Sequence, residues 1–392
     1  MRLIHVTPSY LPAVRYGGPI FAVHGLCAAL AARGHDVEVF TTSIDGPRDS
    51  DVPHDAPVML DGVKIRYFAS PMLRRLSWAP TLAAALRGSV ETADVVHLHS
   101  IFLWPTAAAA RLARRRNIPY VVSPRGMLVE ALVARRHSLL KRLWLALIER
   151  RNLEAAAAIH VTSRVEAAEL AKFGLRPRRV VVIPNGVEEP NAEPSPNPSA
   201  DIARLAEMRP LLLAFGRLSW VKRLDRVLEA FARTDHGNLA IVGPDDEALA
   251  SRLRAQAESL GITARVHIAP RAVTGAEKEF VFASASGLVL ASLSESFGNV
   301  GIEAMRRGLA VIATPNTGIS ALVAESGGGI VVEPDTAALA GAIDRLAGDP
   351  ALAARLGATG RDYVQAHCRW SDVAERMEAL YRSLLGPAGA GR

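Results

Sequence analysis

Leu288-Val-Leu-Ala-Ser-Leu-Ser-Glu-Ser-Phe-Gly-Asn-Val-Gly-Ile-Glu303 changes character twice. It begins as an apolar strand, Leu288–Leu290, passes through a glycine-bearing turn, and ends in a helix that carries Met305 and Arg306. A buried strand feeding directly into a helix is the repeating half of a parallel α/β unit. Glu295 and Glu303 bracket the turn. Backbone N–H groups at a helix N-terminus suit an oxyanion, and carboxylates suit sugar or ribose hydroxyls. The same spacing fits a Glu295 that caps the helix and a Glu303 on an exposed face.

The pattern recurs upstream. Gly216-Arg-Leu-Ser-Trp-Val-Lys-Arg-Leu-Asp225 follows an apolar run, Leu211–Phe215, so Arg217 and Lys222 fall at a strand–helix junction. There they offer a fork of donors and a point charge to a diphosphate, or serve as solvated loop cations. Near the N-terminus, Pro8–Pro19 joins the first strand to the first helix. Gly17 and Gly18 permit close backbone approach there, as turn glycines also do. Asp94-Val-Val-His-Leu-His-Ser100 ends another strand, with His97 and His99 on one face. These two histidines lack the third and fourth ligands of a zinc site, and a strand histidine is often a satisfied core group.

Further out, the alternation covers the chain. Strands are expected at Leu3–Thr7, Val37–Thr42, Lys64–Phe68, Val95–His99, Tyr120–Ser123, Ala158–Thr162 and Val180–Pro184. A second series runs Leu211–Phe215, Leu239–Val242, Arg265–Ile268, Gly287–Leu290, Ala310–Ala313 and Gly329–Val332. Between them Glu188–Arg209 carries Pro190, Pro194, Pro196 and Pro198, which disqualify it from a sheet interior. The expected fold is α/β: two doubly wound, Rossmann-like domains facing a central cleft. The divisions are an N-terminal domain at 1–187, a proline-rich linker at 188–209, a C-terminal domain at 210–368, and a final helix with tail at 369–392.

The 392 residues suffice for two domains, and 49% hydrophobic content with 22% charge excludes disorder on this scale. Cys27 and Cys368, the only two cysteines, exclude a disulfide framework and fit a reducing compartment. No apolar run reaches the ~18 residues of a membrane span, and the N-terminus reads as a strand, so a cytoplasmic location is expected. Residues 1–190 carry a net +9 and the remainder −2. Such asymmetry favours anionic partners or serves solubility alone.

Together the motifs resemble the family-4 retaining glycosyltransferases of GT-B architecture, over nearly the whole chain. The ordered set is the Gly-Gly loop, DVVHLHS, SPRGM at Ser123–Met127, IPNGV at Ile183–Val187, GRLSWVK, ESFGNVGIE, and RWSDVAERMEALY at Arg369–Tyr381. SPRGM and IPNGV look most like bacterial exopolysaccharide, capsule or lipopolysaccharide enzymes. The resemblance implies that Glu295 touches the donor sugar, that Phe297, Gly298 and Asn299 present backbone amides, and that Glu303 holds the ribose. It implies that Arg217 and Lys222 hold the diphosphate, that Gly17 and Gly18 close over it, and that His99 contacts the sugar. It also implies that helix Trp370–Leu385 returns to the first domain. The donor would be a UDP- or GDP-sugar, and the acceptor a glycan or a polyprenyl-diphosphate-linked glycan.

Cations and helix amides stabilise a departing diphosphate without a metal, and no DxD-like cluster falls where a metal could bridge that diphosphate, so neither metal nor cofactor is expected. Two positions depart from the family pattern. Ala291-Ser292 replaces Pro-Ser, and Ile268-Ala-Pro-Arg271 replaces a glycine turn where relatives often meet the nucleobase, which leaves base identity open. A nicotinamide enzyme lacks GxGxxG after the first strand, and a nucleic-acid partner lacks any recognition motif despite a pI of about 9.8. A sugar-nucleotide epimerase or phosphorylase of the same fold, and a non-catalytic nucleotide-sugar-binding protein, remain alternatives. Finally, Leu139, Leu140, Leu143, Trp144 and Leu147 follow helical spacing beside Arg114–Arg116, Arg135, Arg136, Lys141, Arg142, Arg150 and Arg151. They form either a stripe for an anionic membrane or an ordinary core face.

Overall fold

A computed structural model describes residues 1–135, 138–188 and 192–385. Arg136 of the basic run, residues 189–191 of the proline-rich segment, and the tail from 386 onward lie outside the described residues. The chain divides into two compact units, Met1–Gly186 with Trp370–Arg392, and Val187–Arg369.

The first unit is built on an eight-stranded sheet. Its spatial order is Val180–Val182, Ala158–Val161, Tyr120–Ser123, Val95–His99, Arg2–Val6, Asp36–Thr42, Val63–Phe68 and Val58–Leu60. All neighbours pair in parallel except the last two. The antiparallel edge strand Val58–Leu60 is an addition to the strands expected from sequence. Chain order reverses between Arg2–Val6 and Val95–His99, the switch point of this sheet.

Alternate side chains reach opposite faces. Ile4, Val6, Val96 and Leu98 meet helices Pro80–Val90 and Trp104–Arg116. Leu3, Val37, Val39 and Val95 meet Gly18–Ala32 and the final helix Trp370–Leu385. Because both faces are covered, the strands read as continuous apolar runs. The final helix is seated through Trp370. A Cβ at Gly25 would stand 2.3 Å from its ring, and one at Gly186 2.6 Å, so both positions admit only glycine.

The second unit holds a six-stranded parallel sheet. Its order is Val266–Ala269, Asn238–Val242, Leu211–Phe215, Gly287–Leu290, Ala310–Ala313 and Gly329–Val331. That is the 3-2-1-4-5-6 order of a dinucleotide-binding fold, with its switch point between Leu211–Phe215 and Gly287–Leu290. Both units are therefore Rossmann-like.

The proline-rich segment is shorter than its composition suggests. Ala200–Ala203 is helical, Arg204–Glu207 forms a 3-10 turn, and Ile202, Leu205 and Met208 are buried against Val281 and Phe282. Arg271 fastens this segment, pairing with Asp201 at 3.0 Å and Glu277 at 2.7 Å and donating to the Ser199 hydroxyl. Hydrogen bonds from its guanidinium hold both carboxyls at about 2. The departure noted at Ala269–Arg271 thus has a structural use.

The leucine stripe is exposed. In helix Ser138–Trp144 and the following π-turn Leu145–Glu149, Leu139, Leu140, Leu143 and Leu147 are 55–79% accessible. Leu145 and Glu149 are the residues turned inward, which removes the core-face alternative for the four leucines. Trp144 is half-buried, its indole donating to Glu149 at 2.9 Å. Among the described residues no helix is long and apolar enough to cross a membrane.

Candidate active site

In the second unit, the loops that leave the two switch-point strands are tied together. The Leu293 N–H donates to the Val221 carbonyl at 2.7 Å. Lys222 closes the turn Trp220–Lys222, and its ammonium lies 2.7 Å from Glu295 Oε2. The Ser292 hydroxyl, 1% exposed, donates to the same oxygen at 3.0 Å. The backbone of Glu295 is clamped by the loop after Ala310–Ala313, with its N–H donating to the Asn316 carbonyl and its carbonyl accepting from the Gly318 N–H. Sequence reasoning brought Lys222 and Glu295 to one sheet edge. Ser292, beside the family departure at Ala291, makes a contact that fixes the carboxylate. A small pocket beside them is lined by Phe215, Gly216, Lys222, Val289, Ala291 and Ser292.

Glu295 does not cap the next helix. Helix Asn299–Arg306 is preceded by Gly298 at φ +96°, and no side chain caps it. That left-handed backbone favours glycine, and a Cβ would press on Ile319 at 3.3 Å. Phe297 is 4% exposed, its ring in the core, so a donor can meet only its backbone. Asn299 opens the helix. Glu303, one helix turn on, pairs with Lys278 of helix Gly275–Ser284 at 2.7 Å. Arg217 is exposed on the loop after Gly216.

Gly17, Gly18 and His99 belong to the first unit. Gly17, at φ +71° with open space around its Cα, precedes helix Gly18–Ala32, whose first turn has no side-chain cap. His99 ends the strand Val95–His99, as expected. It is fully buried, and both ring nitrogens are occupied, Nε2 by His5 Nδ1 at 2.9 Å and Nδ1 by an Arg125 Nη2 at 3.3 Å. The ring is thus held by two partners within the first unit.

The surrounding network fixes its own proton positions. Burial, reinforced by Arg125, lowers the His5 and His160 imidazoles to about 3, and burial with neighbouring rings and Arg125 pushes His97 and His99 well below 6.5, so all four are neutral. His160 Nε2 must donate to the Ile183 carbonyl at 2.9 Å, so its Nδ1 accepts from Ser123 Oγ at 2.7 Å. Ser123 then accepts from His97 Nε2 at 2.7 Å, and His97 Nδ1 accepts from the Tyr381 hydroxyl at 2.6 Å. From the other end, Arg125 can only donate, so His99 donates to His5, whose buried Nε2–H has no partner among the described residues.

Ligating atoms of His5, His97 and His99 lie within 4.8 Å of one another. As a donor set they do not suit a cation. The nitrogens of His97 and His99 are all engaged, the spare His5 nitrogen carries a proton, and a guanidinium stands beside them. The sequence exposed only the His97–His99 pair. His5, Arg125, His160 and Tyr381 join it from separate elements, a juxtaposition that needs the sheet order.

Residues 17–186 match the Glycosyl transferase 4-like domain and residues 199–363 the Glycosyl transferases group 1 domain. The chain is 27% identical to the GDP-mannose:cellobiosyl-diphosphopolyprenol alpha-mannosyltransferase of Komagataeibacter xylinus, covering 99% of this chain and 94% of that protein. It is 29% identical to the D-inositol 3-phosphate glycosyltransferase of Acidothermus cellulolyticus, covering 98% and 90%. The structure of Anabaena HepE in complex with UDP and glucose superposes with a TM-score of 0.75 at 19% identity, covering 98% of this chain and all of that one. Two Rossmann-like units, matched in order by the two glycosyltransferase domains, make this chain a member of the family-4-type glycosyltransferases of GT-B fold.

Proposed function

We propose that the enzyme transfers a hexosyl unit from a UDP- or GDP-sugar to a glycan or polyprenyl-diphosphate-linked glycan, with retention of anomeric configuration, in cell-surface polysaccharide synthesis. The observation that carries this reading is the Lys222–Glu295 pair at the switch point of the second sheet, beside an uncapped helix N-terminus. A nucleotide-sugar use is supported by the UDP and glucose held by HepE, and a lipid-linked acceptor by the name of the K. xylinus enzyme.

In the proposed reaction the bond from the anomeric carbon to the diphosphate oxygen breaks as the acceptor hydroxyl attacks the same face. The hydroxyl proton passes to the leaving phosphate. Lys222, Arg217 and the amides at Phe297–Asn299 stabilise the departing negative charge, Gly17 and Gly18 close over the phosphates, Glu295 takes sugar hydroxyls, and Glu303 takes the ribose. Lys222 and Glu295 neutralise each other in the free enzyme, so an incoming donor exchanges one partner for another rather than meeting a bare charge. The chemistry needs no divalent cation. Proton NMR of the product formed in EDTA tests the proposal: an anomeric coupling matching that of the donor is expected, and an inverted coupling, or activity abolished by EDTA and restored by a divalent ion, contradicts it.

Peripheral contact with the cytoplasmic face of an anionic membrane belongs to the same proposal. Its support is the exposed leucine face at 139, 140, 143 and 147, flanked by Lys141 and Arg142. Sedimentation with phosphatidylglycerol liposomes is expected for the wild type and lost in a variant with Lys141 and Arg142 changed to Glu. Equal sedimentation of both proteins removes this part of the account.

A further inference from the structure

Lys278 lies outside the motifs that mark the family. It projects from helix Gly275–Ser284, and its ammonium is 2.7 Å from Glu303 Oε2, on helix Asn299–Arg306. The same ammonium lies 5.9 Å from the ring centroids of Phe215 and Phe282. Phe215 ends the first switch-point strand, and the next residue opens the loop that carries Arg217 and Lys222. Arg307, the nearby alternative cation, is committed elsewhere. Its guanidinium pairs with Glu279 and reaches only the main-chain carbonyl of Glu303, at 2.9 Å. The pair engages Glu303 through Oε2.

We propose that Lys278 is a positioning residue for the donor nucleotide. It holds Glu303 through Oε2 and leaves Oε1 to accept from a ribose hydroxyl. A carboxylate fixed before binding loses less rotamer freedom when the nucleotide arrives, so the lysine favours ribonucleotides without touching them. This arrangement repeats the other end of the site, where Lys222 and Ser292 hold Glu295 by Oε2. The inference rests on the reading of Glu303 as the ribose ligand.

The test is calorimetric binding of UDP and GDP, each with its 2′-deoxy and 3′-deoxy counterpart, to the full-length wild type, Lys278→Met, Lys278→Arg and Glu303→Gln. Lys278→Met is expected to weaken the preferred ribonucleotide about five-fold, the upper end for a partly screened ion pair, with deoxynucleotide binding nearly unchanged. Lys278→Arg restores most of the loss. In turnover, the donor KM rises by the same factor while kcat holds. Equal weakening of ribo and deoxy forms, or none, overturns the positioning role. In that case loss of ribose discrimination in Glu303→Gln leaves the ribose reading standing. Discrimination that survives Glu303→Gln overturns that reading and the role of Lys278 with it.

Discussion

At the switch point of the second sheet, Lys222 with Glu295 and Lys278 with Glu303 keep side chains 20–28% exposed. At the switch point of the first sheet, His5, His97 and His99 are at most 1% exposed. Topology is shared, yet the chemistry is opposite. Groups at a half-wet edge can trade a protein partner for a ligand. Groups sealed inside lose their charge, and their hydrogen bonds become a fixed chain from Tyr381 to Ile183. The lesson is that a sheet's carboxyl edge offers a position, while burial decides whether the residues there bind or brace.

Breaking the open edge is expected to have the largest effect. Glu295→Ala and Lys222→Ala should each lower turnover on the order of 10²-fold or more, since each removes a preorganised charged contact. Thermal stability should change little, because both groups are partly solvated. Turnover near that of the wild type in both variants would erase the distinction between the two edges.

Breaking the sealed edge should reverse that pattern. Tyr381→Phe keeps the ring and leaves His97 Nδ1 buried without a donor, a cost of about 1–3 kcal/mol in unfolding free energy. The donor KM should stay at its wild-type value. A changed KM with unchanged stability would mean that the histidine network serves the donor directly.

Acid sharpens the comparison further. The folded values of the four imidazoles lie below 6.5, so the unfolded chain binds more protons in that interval. Stability from the neutral network is complete above about pH 6.5 and is lost as pH falls towards 3. In the second unit, Asp201 and Glu277 titrate from their ordinary values near 4 down to about 2, and their exposure makes the effect small. Hydrogen exchange between pH 7 and 5 should therefore show amides of the first sheet losing protection before those of the second. Simultaneous loss, or the second sheet first, would contradict this assignment.

Much of the fold was legible. Strands Val95–His99, Tyr120–Ser123, Leu211–Phe215, Gly287–Leu290 and Ala310–Ala313 are found as expected, because doubly covered strands are short apolar runs bounded by turn residues. The antiparallel edge Val58–Leu60 was not, since an edge strand with one solvated side lacks that signal. Helix Ala200–Ala203 hid behind four prolines, and the chain settles there through the Arg271 clamp and the burial of Ile202, Leu205 and Met208. Within the site, Lys222 and Glu295 were readable from their strand–helix junctions. Lys278 and His5 were not, because their partners are 25 and 94 residues away and no local pattern encodes such pairings.

The most direct test of the central claim is a thermal-shift measurement of the wild type and Lys222→Ala against UDP-, GDP-, ADP- and dTDP-sugars. Ligand at ~100 times its Kd adds about 2.7 kcal/mol of stability, a readily resolved shift. The account predicts a clear shift with UDP- or GDP-sugars that Lys222→Ala abolishes. An equal shift in wild type and variant would contradict it, placing the nucleotide away from the Lys222–Glu295 edge.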